Sequence, residues 1–348
     1  MGIYIVNIIL IAMLAILFIG RIQNDRIKKC ITIVIFFQLF ILSSLRKIGV
    51  GVDMPVYIEQ FNIIRNIEFK NLYLIDWDLG YVYLNKIISI FTENEYIFQA
   101  VIALIILGLI SIYIYKYSKN IIMSYYVFIG LGYFNMSFNL IRQMIAMGIV
   151  TISYKYLVNK KSKKFFLFMI VAILFHSSAI FFIPIYFIIN KEINIRHYIN
   201  MFMLCICTYL FSGKLISLFI RVYRNDYSYL DIEQGGYSLL GMYLVILIFF
   251  IIFKSDIRNK NEGYEKNYNI IFLLVITQIM ATKFSLFTRV SNYFAIFLVV
   301  LIPNVLDSIE DKKIRVIMNI FIYICIFIYY LYSLNIDLGG TYYYFWWQ

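Results

Sequence analysis

The chain has 348 residues, 63% of them hydrophobic and only 14% charged, with a formal net charge of +12. Apolar runs of about 20 residues recur along most of it, which excludes an ordinary soluble domain and describes an integral membrane protein of many helices. The positive balance does not point to nucleic acid, because Lys and Arg gather in short clusters between apolar runs, as cytoplasmic loops do.

The first run, Ile3 to Ile19, has no basic residue before it and no small-residue cleavage site after it, so it reads as a retained span. Basic clusters follow at Arg21 to Lys29, Lys116 to Lys119, Lys155 to Lys164, Lys191 to Arg196, Lys254 to Lys266 and Lys312 to Arg315. Placing all six in the cytoplasm predicts spans near 3–20, 30–45, 96–115, 121–138, 140–158, 165–176, 178–189, 198–220, 237–253, 269–288, 289–305 and 316–334, with both chain ends outside. No polar stretch is long enough for a separate domain, so residues 1–348 form one all-α polytopic bundle, with outer loops at about 46–95 and 221–236.

Within the first outer loop, "SSLRKIGVGVDMPVYIEQF" carries Arg46, Asp53 and Tyr57, and Tyr57, Phe61 and Ile64 share a helical stripe. The stripe predicts an amphipathic helix resting on the membrane or packed under the loop. The segment 79–91 is interrupted by Asn85 and Lys86 and is placed on the outer surface. In "FNLIRQMIAMGI", Asn139, Arg142 or Gln143, and Ala146 fall along one helical face, and a cation there must face the bundle interior or the interface.

The run "FFLFMIVAILFHSSAIFFIPIYFI", 165 to 188, must go out and return within about 25 residues. Two halves of about 12 residues reach only about 18 Å each, short of a bilayer core of about 30 Å. A broken or re-entrant pair bent at His176 is therefore expected, and such breaks are tolerated where they line a cavity. Histidine changes charge near neutral pH, so at such a break it is either a packing donor or a proton acceptor. Arg289 sits between two apolar spans in "SLFTRVSNYFAIF", and the loop 221–237 mixes Arg221 and Arg224 with acids and tyrosines.

The sequence lacks a phosphate-binding glycine loop, a Cys/His metal pattern and a His-Glu-x-x-His helix, which argues against an ATP-driven pump and a zinc protease. Cys30, Cys205, Cys207 and Cys325 lie in apolar runs and are read as small buried hydrophobes.

"GVDMPVY" with the nearby Arg46, "DLGYVYLN", "IRQMIAMGI", "KKFFLFMIVAILFHSSAIFFIPIYF" and "TRVSNYF" occur in this order over roughly residues 40 to 305. In this the chain resembles the EpsG-like family of membrane polysaccharide polymerases, related to the Wzy polymerases of O-antigen, capsule and exopolysaccharide. The Arg-Gln-x-x-Ala helix followed by Phe-His-x-Ser-Ala is the most specific part; Val52 stands where the family often has Thr. The resemblance implies a metal-independent, cofactor-free glycosyltransferase at the outer face of the bacterial cytoplasmic membrane, moving a growing chain from polyprenyl diphosphate to the next lipid-linked repeat unit.

On that reading Arg142 and Arg289 clamp the diphosphate, and His176 or Asp53 accepts the acceptor's proton. Arg46, Tyr57, Gln143, Asn139, Arg221, Arg224 and Tyr293 are the substrate-binding candidates. The partners implied are a polyprenyl-diphosphate-linked oligosaccharide, membrane lipid and a chain-length regulator, with no nucleic acid. An O-antigen ligase-like enzyme and a lipid-linked oligosaccharide flippase are the competing readings.

Overall fold

A computed structural model describes residues 2–18, 24–223, 235–260, 264–336 and 342–348, with the backbone alone at 215–223, 264 and 336. Two long helices open the chain, α1 (Gly2–Leu17) and α2 (Asp25–Ser44), followed by a surface segment holding α3 (Met54–Arg65), a 3-10 stretch at Phe69–Leu74 and α4 (Leu79–Phe91). Then come α5 (Glu95–Tyr117), α6 (Ile121–Gly130), α7 (Tyr133–Asn139), α8 (Ile141–Val158) and α9 (Ser162–Phe175). A 3-10 stretch at Ser177–Phe182 leads to α10 (Ile185–Ile188), α11 (Ile195–Tyr223), α12 (Tyr237–Ile252), α13 (Lys254–Lys260) and α14 (Tyr264–Ala281). The chain closes with α15 (Thr288–Ala295), α16 (Leu298–Ser308) and α17 (Lys312–Ile336).

Asparagine starts several of these helices because its side chain accepts from first-turn N–H groups that have no partner inside the helix. Asn24 accepts from the amides of Arg26 and Ile27, and Asn94 from those of Tyr96 and Ile97. Every residue of α6 is buried, which makes it the centre of the bundle. Apolar side chains gain little by leaving lipid, so close packing and interhelical hydrogen bonds hold such a core together. Gln38 donates to Asn7 at 2.7 Å between α2 and α1, Tyr125 to Ser111 at 2.7 Å between α6 and α5, and Ser291 to Gln278 at 2.7 Å between α15 and α14.

The basic clusters share one end. Lys28 reaches the carbonyl of Ser118, Asn304 ties Tyr117 to Lys119, Asn259 meets Glu310, and Lys254 lies over the Tyr198 ring. Tyr154, one residue before Lys155, packs against Tyr117. The first outer loop closes the opposite end, where Asn62 donates to Glu95 and Lys86 to the carbonyl of Arg65.

Twelve spans were expected; among the described residues α2, α5 and α17 are individually long and apolar enough to cross a membrane, and up to six spans qualify if each bent pair counts as one. Part of the difference lies in short helices, such as α1 with 16 residues, and part in breaks. The expected span 121–138 is α6 plus α7, bent by 53° across Gly132, whose φ is +83°. The expected span 289–305 is α15 plus α16, bent by 48°. Leu140, with φ −94° and ψ 54°, separates α7 from α8, so Asn139 does not share a helical face with Arg142 and Ala146.

The turn at His176 is present. α9 leaves the basic end and stops at Phe175, and the chain is back at that end where Asn269 donates to the carbonyls of Ile188, Ile189 and Lys191. A 3-10 stretch rises about 2.0 Å per residue against 1.5 Å in an α-helix, so the return leg reaches further than its residue count suggests. The four cysteines are free but not buried: Cys30, Cys207 and Cys325 are exposed and Cys205 is half-buried, on the apolar outer faces of their helices.

Candidate active site

Four interruptions of helical structure meet at the end opposite the basic clusters, and each delivers a polar side chain. The loop before α3 brings Asp53, the break at Leu140 starts α8 with Arg142 and Gln143, the break after α9 brings His176, and the start of α15 brings Arg289. With Tyr57, Trp77, Val56 and Leu140 these residues line one cavity of about 160 Å³.

Two glycines let the walls close. Gly51 has φ +106°, a conformation that disfavours any side chain, and a Cβ there would sit 2.8 Å from the Phe138 carbonyl oxygen at the end of α7. A Cβ at Gly80 would likewise sit 2.8 Å from the carbonyl oxygen of Leu174. Only glycine therefore allows the first turn of α4 to press on the last turn of α9, and that contact brings Asp78 beside His176.

Asp78 is the centre of the polar network, and the sequence reading passed over it although it heads the quoted "DLGYVYLN". Its Oδ2 accepts from Arg142 Nη1 at 2.6 Å and lies 3.4 Å from His176 Nδ1, while Oδ1 accepts from the Ser177 amide at 3.2 Å. Burial alone pushes this carboxyl up, but His176, Arg142 and the Ser177 amide together outweigh it and hold Asp78 below the ordinary aspartate value. The readable signal was an acid directly before a glycine that opens an amphipathic helix.

Aromatic rings floor the cavity. The Arg142 guanidinium lies 4.4 Å from the centre of the Trp77 ring, and Trp77 packs with Tyr57 and Tyr81. Burial pushes the Tyr57 hydroxyl above its ordinary range, while Arg142 pulls it down. The stripe Tyr57, Phe61 and Ile64 faces inward and is buried, so α3 packs under its loop and presents other apolar residues such as Val56 outward. Gln143 Nε2 donates to the Arg289 carbonyl at 2.6 Å, which ties α8 to α15 across the cavity.

Several donors and acceptors at the site are unused. Arg142 Nε and Gln143 Oε1 are buried without a partner among the described residues. The Arg289 side chain is exposed and has no ion pair there, and Asp53 caps no amide of α3.

Other candidates lie elsewhere. Arg46 is 2% exposed and absent from the cavity wall; its guanidinium donates to the Ser43 carbonyl and hydroxyl and to the Val50 carbonyl, with the Phe138 ring 4.4 Å away. Burial lowers its pKa to about 9, so it stays charged at neutral pH. Arg46 thus lies within the loop that holds Asp53, bonded to that loop's own backbone and not at the cavity wall. Tyr293 is wholly buried behind the break, its hydroxyl accepting from Ser178 Oγ at 3.3 Å. Asn139 bonds back to the Asn135 carbonyl and is not in the wall. Arg224 and the side chain of Arg221 lie outside the described residues.

No group of three or more His, Cys, Asp or Glu side chains suited to a metal ion occurs among the described residues. No curated protein and no solved structure matches the chain. A model described as the EpsG family matches residues 28–346, which takes in all four interruptions, the network around Asp78 and the C-terminal strap on Arg46. The protein is thus a membrane polymerase of the polysaccharide-building, Wzy-like kind, and the chain belongs to the EpsG family.

Proposed function

We propose that this cavity transfers a growing polysaccharide from polyprenyl diphosphate to the next lipid-linked repeat unit, at the face of the membrane opposite the basic clusters. The observation that carries the reading is the convergence of Arg142, Arg289 and His176 on one small cavity, with Asp78 paired to both Arg142 and His176. At about 160 Å³ it is smaller than an ordinary ligand pocket of about 300–1,000 Å³. It suits the diphosphate, and the sugar bonded to it and the rest of each glycan extend outward.

The chemistry assigned to each group follows from what it has left to give. Arg289, without an acid partner among the described residues, and the remaining donors of Arg142 hold the diphosphate oxygens; guanidinium forks fit such oxygens. Asp78 orients His176 through Nδ1, which leaves Nε2 to accept the proton of the acceptor hydroxyl. A bond forms between that hydroxyl oxygen and the anomeric carbon. The bond from the anomeric carbon to the diphosphate oxygen breaks, and its electron pair leaves with the diphosphate, whose charge the two arginines stabilise. Asp53 faces the same cavity and is the alternative base.

The test is chain lengthening in membranes supplied with a lipid-linked repeat unit, comparing the intact protein with Arg289→Ala, His176→Ala and Asp53→Ala. Arg289→Ala and one of the two base variants should lose lengthening; normal rates in all three would sink the reading. Movement of lipid-linked units between leaflets without lengthening would replace it with a flippase.

A further inference from the structure

A second concavity lies at the basic end, remote from the cavity around Asp78. It is a groove of about 840 Å³ between α17 and the inner halves of α1, α6 and α16. We propose that this groove is a binding site for one anionic phospholipid of the leaflet at the lysine-rich end, with its phosphate between Lys312 and Arg315 and an acyl chain along α17.

The groove exists because α17 is fastened at one end only. Toward the other leaflet, Gly130 of α6 leaves no room for a Cβ against Ile326, Tyr126 donates to the Tyr323 carbonyl at 3.0 Å, and Tyr330 reaches Asn135. Toward the basic end the tie from α17 back to α16 is a long contact, Arg315 Nη1 to the Asp307 carbonyl at 3.4 Å. Ala12 and Ala15 of α1, the smallest side chains available short of glycine, widen the gap further.

The dimensions match one leaflet. The face of α17 that lines the groove runs from Lys312 to Phe327, 15 residues on, or about 22 Å of helix. Half of a bilayer of about 40–45 Å, headgroups included, is about 20–22 Å. The polarity follows the same axis: Lys312, Arg315 and Asn319 stand at the headgroup level, and Ile320, Ile324 and Phe327 continue toward the midplane. The mouth carries two cations against the single carboxylate of Asp307, which forms no ion pair with either among the described residues, so it keeps a net positive charge over an apolar trench and is complementary to an anionic lipid. Each such cation contributes about 1 kcal/mol toward an acidic headgroup. A protein helix would fill the trench but would leave the two cations and the Asn120 amide at its mouth unanswered.

The experiment uses the full-length protein in detergent, titrated with phosphatidylglycerol or phosphatidylcholine and read by native mass spectrometry and by melting temperature. One phosphatidylglycerol should be retained and should raise the melting temperature, with phosphatidylcholine weaker. In the surface double variant Lys312→Gln/Arg315→Gln, affinity for phosphatidylglycerol should fall about thirtyfold, the product of two such cations. Ala12→Phe, which fills the trench and leaves the charges, should also lose the retained lipid. Equal retention of both lipids, or retention unchanged in both variants, overturns the site, and a dimer that persists after delipidation gives the groove to a second copy. Neither variant touches the cavity around Asp78, so loss of the lipid with chain lengthening intact leaves the polymerase reading standing, and the reverse outcome leaves the lipid site standing.

Discussion

Arg46 and Arg142 both sit near the end of the bundle opposite the basic clusters, each with an aromatic ring 4.4 Å from its guanidinium, and their surroundings have opposite meanings. Arg46 is enclosed, and its donors are taken by carbonyls and a hydroxyl of its own neighbourhood. The C-terminal strap covers it, through the bridge from Arg46 to Phe345 and the bond from the Lys47 amide to the Tyr344 carbonyl at 2.8 Å. Arg142 meets a carboxylate, keeps a donor unused and has 27% of its side chain exposed to a cavity. A guanidinium whose donors are satisfied by backbone fixes a loop; one partly satisfied and open to a cavity can bind something.

The largest effect expected from this contrast is on turnover. Arg142→Ala should lower chain lengthening by about 100- to 1,000-fold, the usual loss when a donor to developing charge is removed. Stability should fall only by the worth of its pair with Asp78, less than the loss expected for Arg46→Ala. Arg46→Ala should do the opposite. It strands the buried carbonyls of Ser43 and Val50, at about 1–3 kcal/mol for each unsatisfied group. Thermal unfolding should move down sharply, while lengthening per folded molecule stays within about twofold. If Arg46→Ala kept its stability and lost turnover, the two arginines would not be different in kind.

Asp78→Asn comes next. It keeps the shape but removes the charge that orients His176 and anchors Arg142, so lengthening should fall roughly 10- to 100-fold, in the range of a positioning partner. The carboxyl lies below its ordinary value of 3.8, so its stabilising contribution is complete above that range and is lost as pH falls through the lowered value. Wild-type unfolding by acid should therefore steepen below about pH 4. Asp78→Asn should be less stable at neutral pH and should lack that step; an identical acid profile would show that the pair with Arg142 contributes nothing.

How much of this was legible in the sequence follows from what periodicity can carry. The polytopic helical bundle was readable because 20-residue apolar runs and flanking cations are local signals, and the turn at His176 was forced by having to cross twice within 165–188. The break at Gly132 was not readable, because it lies inside the expected span 121–138 and is set by what packs around it, whereas the interruption at Leu140 falls at the boundary expected between spans 121–138 and 140–158. Arg142, Arg289, His176 and Asp53 stood out as charges in apolar surroundings. Asp78 did not, because it lies in an acid-containing loop and becomes special only when Gly80 brings α4 against α9. Arg46 was read as a substrate-binding candidate in its loop; that its donors close on Ser43 and Val50 is a property of the folded loop.

Gly80→Ala tests that contact on a smaller scale. The added methyl meets the Leu174 carbonyl, so α4 must shift by a few tenths of an ångström, at about 1–3 kcal/mol. Asp78, two residues away, should move with it. Turnover should drop several-fold, in the direction of Asp78→Asn, and the double variant Gly80→Ala/Asp78→Asn should lose no more than Asp78→Asn alone. Additive losses would mean that the glycine serves packing and not the site.

The smallest effect expected is that of Tyr293→Phe. The Tyr293 hydroxyl accepts from Ser178 Oγ at 3.3 Å, a long bond, and the ring, carried by α15, is wholly buried behind the break. Removing the oxygen leaves the ring in place and frees a serine hydroxyl that can rotate to another acceptor, so the cost should be about 0.5–1 kcal/mol. The melting temperature measures that loss. Lengthening per folded molecule should be unchanged, because Tyr293 supports the break from behind and is not in the cavity wall. A loss of turnover beyond about fivefold, more than the bond itself can supply, would show that this hydroxyl sets the orientation of His176 and would extend the working site one layer deeper than Asp78, Arg142 and Arg289.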